Sequence, residues 1–493
     1  MAPTVQGLHS DLAAVLVLRA ALHLDEDLLL LGAVVAFLLR ASGFQNAKSP
    51  RASRWSTVTA EGGEEDWAVH RVTGLSDLWA IIAEHSGLVG AWRLMSVCVA
   101  ARVGVREHLE TLPGLVLSGG VTTADGYGDR ELSDCWRLSM VTLRWEPMPS
   151  LARARYGHTC CTVRGNLVAL GGRDDDGDVP SVEMLSCPSS SRDIPARSLR
   201  RSQSATEESQ WTAATSTTLR RHSATGESHW IAATSTTPRH HSATACGFVT
   251  LPALSCGLLK TSSAVVVEES DSAEGQVLLL GELEEQEDHV SEHQLTAYLV
   301  DLATGTCTPQ QAPDPPLRPR TCFSAVRLAD RRSIVFVGRL RVQGNDTPAK
   351  ILTPPEHGAT EQAWTARALP QMQAVRYGGC GVVMSDGRYA YLGGTLASSY
   401  AFTATCEALV LRHHNDHHAE GGSTETEKGT WEPLPAMLEA RCQFACAALR
   451  GCIIVAGGMN RASAEIYEES SGRWRRLPCD LPYELSNMGS ALI

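Results

Sequence analysis

The 493-residue chain lacks the features that mark several large classes of protein. No stretch dense in Lys and Arg offsets its formal net charge of −12, so nucleic-acid phosphates and anionic lipid would be repelled. The longest apolar run, Leu28 to Leu39, has twelve residues, whereas a membrane helix needs about 20. We expect a buried helix there, with no membrane span and no nucleic-acid partner; an N-terminal anchor at Leu12 to Leu24 is the alternative.

Several catalytic motifs are also missing. The chain has no Gly-x-Ser-x-Gly sequence, no phosphate-binding loop and no HExxH, so three common enzyme chemistries lack their minimal parts. Its fifteen cysteines include no CxxC pair and no zinc-binding spacing, and some lie in apolar runs such as 451–454. We therefore expect buried, reduced thiols, a cytoplasmic or nuclear protein, and no catalytic activity, cofactor or metal.

What the sequence does contain is a repeated apolar run that ends in glycine. Six copies follow residue 114, most of them ending in Gly-Gly: Leu115–Gly120, Leu167–Gly172, Val277–Glu282, Ile334–Arg339, Tyr389–Gly394 and Ile453–Gly458. Their first glycines are 52, 110, 57, 55 and 64 residues apart, and the one long interval contains a low-complexity insert. Such a period indicates a repeat architecture.

A tryptophan followed by a proline recurs near the end of most units. The pairs are Trp145 with Pro149, Trp364 with Pro370, Trp431 with Pro435 and Trp474 with Pro478. The glycines allow a tight turn where a Cβ would clash, and each tryptophan is expected to wedge between adjacent sheets. In the third unit, which ends at Cys307, the aromatic residue is lost.

This unit resembles the kelch repeat, and the resemblance covers roughly residues 113–493. It implies an all-β, six-bladed β-propeller that binds a protein partner, preceded here by a small α-helical region. Residues 488–493 form a strand with no Gly-Gly after it, so we expect the C-terminal strand to complete the first blade and remove an open edge. Glu282 and Arg339 depart from the Gly-Gly pattern and affect the local turns of blades 3 and 4.

Three segments precede the propeller: apolar helices at 1–40, a polar linker at 41–70 and a helical region at 71–112. Apolar residues three and four apart predict two or three short amphipathic helices in the last segment. The order of Leu75–Ile82 and Trp92–Arg102 resembles an F-box, which implies a Skp-type adaptor as partner and a substrate receptor of a cullin-type ubiquitin ligase. The segment lacks the Leu-Pro opening of that family and its later tryptophan. A structural cap on the propeller is the alternative.

Two inserts interrupt the repeat. Residues 186–246 contain a tandem duplication with a period of nineteen, in which an arginine lies three residues before each of Ser204, Ser223 and Ser242. This composition cannot bury a core, and it fits either phosphorylation by a basophilic kinase or a neutral duplication. Residues 412–430 contain four histidines between 413 and 418. We expect no metal site there, because no thiolate ligand is adjacent.

A basic residue recurs at the start of the strand before most of the glycine runs. The five are Arg155, Lys260, Arg320, Arg376 and Arg441, and the closing strand has Asn487 instead. If the blades superimpose, five cations surround one mouth of the channel and attract an acidic or phosphorylated segment of a partner. Alternatively, these residues hydrogen-bond loop carbonyls and serve the fold.

An enzyme of the same fold acting on a small molecule is a third possibility. The copper site of such a fold needs two histidines and two tyrosines that converge. Only Tyr156, His158 and Tyr377 are candidates at the corresponding positions, which is too few.

Overall fold

The computed structural model describes residues 76–123, 129–186, 247–256, 259–267, 274–284, 293–310, 323–330, 333–338, 349–353, 364–411 and 429–493. The predicted N-terminal helices at 1–40, the linker at 41–70 and the serine and histidine clusters of the two inserts lie outside these residues. Within the described ranges, no helix is long and apolar enough to cross a membrane.

Among the residues that the structure describes, three helices precede the strands: α1 (Ser76–His85), α2 (Gly87–Leu94) and α3 (Val99–Thr111). The strands in chain order are β1 (Leu115–Ser118), β2 (Val121–Thr122), β3 (Arg130–Glu131), β4 (Cys135–Leu138), β5 (Trp145–Met148), β6 (Thr159–Val163), β7 (Asn166–Leu170), β8 (Arg173–Asp174), β9 (Gly177–Asp178), β10 (Val182–Ser186), β11 (Gly247–Leu251), β12 (Leu259–Val267), β13 (Gln276–Glu284), β14 (His293–Asp301), β15 (Cys307–Gln310), β16 (Ser324–Arg327), β17 (Ile334–Val337), β18 (Ala349–Thr353), β19 (Thr365–Ala368), β20 (Arg376–Tyr377), β21 (Cys380–Val383), β22 (Tyr389–Leu392), β23 (Thr395–Leu396), β24 (Cys406–Leu411), β25 (Gly429–Leu434), β26 (Ala445–Leu449), β27 (Cys452–Ala456), β28 (Ala464–Glu468), β29 (Arg473–Arg476) and β30 (Gly489–Leu492).

Six four-stranded antiparallel sheets form the blades of a ring. From the inner to the outer strand, they are β30-β1-β4-β5, β6-β7-β10-β11, β12-β13-β14-β15, β16-β17-β18-β19, β21-β22-β24-β25 and β26-β27-β28-β29. The inner strand of each blade contacts the inner strands of both neighbouring blades, so the ring is closed. The C-terminal strand β30 pairs with β1, from Leu115 opposite Leu492 to Ser118 opposite Gly489. The predicted six-bladed propeller and its closure are confirmed.

Burial across a blade explains the residue pattern of each strand. The second strands, such as β17 and β27, are buried along their whole length, because other blades cover both of their faces. A continuous apolar run is the sequence signal of such a strand. The outer strand β29 buries one residue of four, so polar residues are tolerated there.

The Gly-Gly runs end the second strands in a conformation that favours glycine. In the first unit, Gly119 and Gly120 have φ of 55° and 101°. A Cβ on Gly119 would lie 2.5 Å from the carbonyl oxygen of Arg155 in the next connection. Blade 3 lacks the second glycine, and there β13 and β14 pair beyond Gly281, from Glu282 to Glu284.

Tryptophans of the outer strands join neighbouring blades, as predicted. Trp431 of blade 5 donates its Nε1–H to the carbonyl of Pro370, which follows blade 4, at 2.8 Å. Trp474 of blade 6 makes the same bond to Pro435, also at 2.8 Å. The tryptophan and the proline of the repeat therefore form one contact between consecutive blades.

The helices lie against blades 1 and 6. Their buried side chains, among them Trp79 and Leu88, belong to one apolar core with residues of these two blades. Trp92 donates its Nε1–H to the carbonyl of Met140 in blade 1, at 2.7 Å. A Cβ on Gly104 of α3 would lie 1.8 Å from the Ser76 carbonyl oxygen, so this glycine allows α3 to cross α1 closely. The packing has the form of a cap on the ring.

Two sequence expectations need correction. Cys380 and Cys446, on the inner strands of blades 5 and 6, form a disulfide with a Cα–Cα distance of 6.3 Å, so the thiols are not all reduced. The boundaries of the inserts also move inward, because Ser186 pairs with Gly247 in blade 2 and Gly429 pairs with Leu411 in blade 5.

Candidate partner-binding site

Three of the five predicted cations are buried inside the ring. Arg155, Arg376 and Arg441 have relative exposures of 0%, 1% and 0%. Each guanidinium group is paired with a buried glutamate on the third strand of its blade: Glu183, Glu407 and Glu465. The cations therefore do not form an exposed circle around the channel mouth.

Blade 6 gives the fullest example of this pair. Arg441 donates from Nη2 to Oε1 of Glu465 at 2.8 Å and to the Ser463 hydroxyl at 2.6 Å. Its Nη1 donates to the carbonyls of Gly457 and Ser463, at 2.7 and 2.8 Å. A buried charge is stable only when it is paired and hydrogen-bonded, and both conditions are met here.

The same arrangement recurs in blades 2 and 5. Arg155 donates to the Ser181 hydroxyl at 2.7 Å and to the Gly171 carbonyl at 3.0 Å, besides its pair with Glu183. Burial lowers the pKa of Arg155, and Glu183 opposes that shift. Arg376 donates to Thr405 and Glu407, at 2.8 Å each, and lies 5.4 Å from the centre of the Tyr391 ring.

Each glutamate also fixes the connection that carries its arginine. Glu465 accepts the backbone N–H of Leu438 at 2.7 Å and that of Glu439 at 3.1 Å. Glu183 accepts from Ala152 at 2.6 Å. These three arginines thus fit the second interpretation of the sequence, in which they serve the fold. Their hydrogen bonds hold loops in place, and their guanidinium groups are not available to a partner.

The remaining predicted cations have no described side chains. Lys260 lies in β12, but only its backbone is described, and Arg320 lies outside the described residues. Backbone pairing also changes the equivalence of the closing strand. Gly458 donates to the carbonyl of Leu485 at 2.8 Å, as Gly394 donates to that of Arg441 at 2.8 Å. Leu485, and not Asn487, therefore occupies the arginine position of blade 1.

Both members of the pair are replaced together in blade 1. Trp136 occupies the glutamate position there. In blade 6, the residue before the Gly-Gly run is Ala456, and Glu465 follows its strand partner. In blade 1, the residue before the Gly-Gly run is Ser118, and Trp136 follows its strand partner, Cys135. The indole of Trp136 donates to the Tyr483 hydroxyl at 3.0 Å, and this hydroxyl donates to Asp134 at 2.6 Å. A neutral pair thus takes the place of an ion pair.

Blade 4 has a lysine at the glutamate position. Lys350 is 7% exposed, and it pairs in the sheet with Phe336 and Ala368. Burial lowers the pKa of its amine. Within the described residues this amine has no ion pair to offset the loss of solvation.

The three candidates for a copper site are not brought together. His158 lies at the junction of blades 1 and 2, where its Nε2 is 3.0 Å from the Ser118 hydroxyl. Burial lowers the pKa of His158 to about 3, and the positive charge of Arg155 contributes to this shift. Tyr377 lies in β20, which precedes blade 5. Within the described ranges, no group of three or more His, Cys, Asp or Glu could hold a metal ion.

Four exposed apolar side chains on neighbouring loops of blades 5 and 6 were not predicted from the sequence. They are those of Tyr400, Phe402, Leu438 and Met459, which are 65%, 37%, 59% and 39% exposed. We call this set the blade 5–6 patch. Tyr400 and Phe402 follow the Gly-Gly run of blade 5, and Met459 follows that of blade 6. Apolar residues in these otherwise polar connections were the signal in the sequence.

Backbone hydrogen bonds hold the loops of the blade 5–6 patch together. Arg441 donates its N–H to the Thr403 carbonyl at 3.3 Å, and Met437 donates to Ala404 at 2.9 Å. Met459 donates to the Cys442 carbonyl at 3.0 Å. The loops of the patch are therefore linked to one another, and they form the same end of blades 5 and 6.

A cavity of about 260 Å³ adjoins the patch on the side of blade 1. Its lining includes Met459, Val121, Asn487 and two carboxylates, Asp129 and Glu484. A cleft of about 520 Å³ lies on the other face of the ring, between the start of α2 and the turns of blades 5 and 6. The cavity, unlike the cleft, is lined by one residue of the patch, Met459.

The comparisons with known proteins agree with the repeat. A family model described as the Kelch motif matches residues 440–479, which include Arg441, Gly457, Gly458 and Trp474. No curated protein matches the chain.

Proposed function

From the premise that this chain is a kelch-repeat β-propeller, we propose that it is a non-enzymatic protein-interaction module whose partner binds the blade 5–6 patch. A kelch propeller by itself suggests protein binding. The exposure of Tyr400 and Leu438 is the observation that supports this particular surface. Exposed apolar clusters mark interaction sites, and aromatic and methionine side chains are enriched in interface cores.

The partner is expected to present apolar side chains. Tyr and Met offer large contact areas, and tyrosine is among the residues enriched in the hot spots of interfaces, which are surrounded by contacts that exclude water. Glu439, Arg461 and Arg476 form ion pairs beside Leu438 and provide such surroundings. The acidic partner predicted from the sequence now rests on Lys260 and Arg320 and stays a prediction, as does a cytoplasmic or nuclear location.

The test compares partner capture by matched variants of the full chain. We expect the double variant Tyr400→Ser, Leu438→Ser to capture its partner at least tenfold less than the wild type, a loss of about 1.4 kcal/mol or more. Val249→Ser is the control, because Val249 is 52% exposed on the outer strand of blade 2. Affinity purification with quantitative mass spectrometry measures the ratio. Equal capture by a folded double variant would overturn the proposal.

Recruitment of a Skp-type adaptor is a second candidate, and one observation favours it. Val99 and Val103 lie four residues apart on α3, and are 78% and 44% exposed. Because residues at this spacing share a helix face, they form an apolar stripe outside the core that α3 shares with the propeller. This stripe would be the adaptor contact.

The adaptor test needs the full chain, because the helices and blades 1 and 6 share one core. We expect a purified Skp-type adaptor to bind the wild type and the patch variant equally, and to lose binding to Val99→Ser, Val103→Ser. If the wild type does not retain the adaptor, the ligase function is excluded while the blade 5–6 patch is unaffected.

A further inference from the structure

Blade 3 replaces the tryptophan contact between blades with two cysteines. Leu280, the residue before the glycine of blade 3, pairs with Ala297. Val300 lies three residues after Ala297 and pairs with Cys307. In blade 6, Trp474 opposes the equivalent residue, Tyr467. Cys307 therefore stands where blades 5 and 6 place the tryptophan that bonds to the preceding blade.

The preceding connection supplies the second thiol. Cys256 and Cys307 lie close enough for each thiol to shift the pKa of the other. Two further bonds hold their segments together: Cys307 donates its N–H to the Ser255 hydroxyl at 2.9 Å, and Ser255 donates its N–H to the Gly305 carbonyl at 3.2 Å. Both cysteines are free and partly exposed. The two thiols face each other across the junction of blades 2 and 3.

The sulfur of Cys307 lies 3.6 Å from the Gly305 carbonyl oxygen, and several donors lie on its other sides. The Cys256 thiol is the largest influence, the Ser255 hydroxyl and two backbone N–H groups add to it, and together they lower the pKa of Cys307 to about 6 against its partial burial. Cys256, in turn, has a raised pKa, chiefly because of its interaction with Cys307. The interaction therefore favours the thiolate form of Cys307 and the protonated form of Cys256.

Several thiols on the strands of other blades contrast with this pair. Burial raises the pKa of Cys135, Cys160 and Cys452 to about 12 each. Reactive cysteines are those with thiolate character and access to solvent, whereas buried apolar ones are inert. Cys307 has both properties and has a second thiol within contact.

We propose that Cys307 is a peroxide-reactive thiol that forms a reversible disulfide with Cys256 and thereby joins blade 3 covalently to the connection from blade 2. The sulfur attacks one peroxide oxygen, the O–O bond breaks, and the other oxygen leaves as water after taking a proton. The resulting sulfenic acid is then attacked by the Cys256 sulfur, its S–O bond breaks, and a second water leaves. Two electrons pass to hydrogen peroxide, and a dithiol reductant returns them.

The disulfide would do covalently what Trp474 does by packing and hydrogen bonding. It would also fix the segment after β11, the strand that follows the 187–246 insert in the chain. The proposal is independent of the blade 5–6 patch, because it concerns the junction of blades 2 and 3.

The first experiment needs no variant. The native chain is labelled with limiting iodoacetamide at pH 6.5, and each cysteine peptide is quantified by mass spectrometry. We expect Cys307 to react at least about fivefold faster than Cys479, since the lowered pKa of Cys307 raises its own thiolate fraction and this outweighs the lower nucleophilicity of an acidic thiol. Cys479 is the matched control, because it is a partly exposed free thiol. Labelling of Cys307 no faster than Cys479 would overturn the proposal.

The second experiment follows the product. After treatment with hydrogen peroxide, we expect a peptide linked through Cys256 and Cys307 that dithiothreitol separates. In Cys256→Ser the sulfenic acid at Cys307 should persist and react with dimedone. Cys479→Ser should leave the link intact. Absence of the linked peptide from the wild type, or its presence in Cys307→Ser, would contradict the assignment.

Discussion

Blades 5 and 6 differ from blades 3 and 4 in almost every polar and aromatic feature of the repeat, yet all four have the same strand order. Blades 5 and 6 keep the Gly-Gly turn, the buried Arg–Glu pair and the tryptophan contact. Blade 3 has Glu282 after its glycine and Cys307 for the tryptophan, and blade 4 has Lys350 for the glutamate. The buried apolar second strand is what all four share.

The difference separates what forms a blade from what fixes its edges. Strand pairing in blade 3 extends where the glycine turn is missing, so β13 and β14 have nine residues each. The apolar second strand is buried along its whole length in blades 4 to 6, and burial of apolar surface is the main driving force of folding. The polar motifs act on the connections between blades, where a substitution changes local chemistry without changing the strand order.

The largest expected effect is the loss of an arginine from an intact pair. Arg441→Met leaves Glu465 buried without its cation, and we expect the free energy of unfolding to fall by about 3–5 kcal/mol. Adding Glu465→Gln should recover part of this loss, because the carboxylate charge is removed while an acceptor for the Leu438 and Glu439 N–H groups remains. Urea unfolding checks both variants; a double variant less stable than the single one would contradict this account.

The opposite sign is expected in blade 4. Lys350→Met removes a partly desolvated amine without an ion-pair partner in the described residues, and we expect stabilisation of about 1 kcal/mol. As a control in blade 6, Glu465→Met removes a buried charge that does have a partner and should destabilise. Chemical denaturation of both variants measures the difference, and destabilisation by Lys350→Met would show that this amine is satisfied in the folded chain.

The gain from Lys350→Met should depend on pH. The pKa of Lys350 is lowered in the folded chain, so the unfolded chain binds more protons between that value and the ordinary lysine value of about 10.4. The contribution of Lys350 to the free energy of unfolding of the wild type therefore rises with pH across this window. The difference in free energy of unfolding between Lys350→Met and the wild type should therefore decrease as the pH rises toward 10. Taking this difference cancels the titration of all other groups. A difference that does not change with pH would exclude titration of Lys350.

The smallest expected effect concerns the tryptophan contact. Trp474→Phe keeps most of the buried ring but loses the bond to the Pro435 carbonyl, which should cost about 0.5–1.5 kcal/mol. Trp145→Phe is the matched control: Trp145 is also 8% exposed, and its Nε1 has no partner in the described residues. We expect the control to cost less. Equal losses in thermal unfolding would assign the contact to packing alone.

The sequence predicted the fold because its signals are local and repeated. Apolar runs of four or five residues, glycines with positive φ and tryptophans at a fixed place recur in most units, and the spare strand at 488–493 indicated how the ring closes. The departures Glu282 and Cys307 were visible as well. Their consequences were not, because the partner of Cys307 lies 51 residues away in the chain and meets it only in the ring.

The amino-acid sequence by itself determined the number of blades, the closure of the ring and the helices before it, since hydrophobic periodicity and turn residues act over short stretches of chain. The state of the basic residues was decided only by the tertiary structure. Whether Arg155, Arg376 and Arg441 point to solvent or into the ring depends on carboxylates 24 to 31 residues further along the chain, which backbone pairing brings beside them. Exposure of the blade 5–6 patch and contact between Cys256 and Cys307 likewise arise from the packing of separate units, which no local pattern specifies.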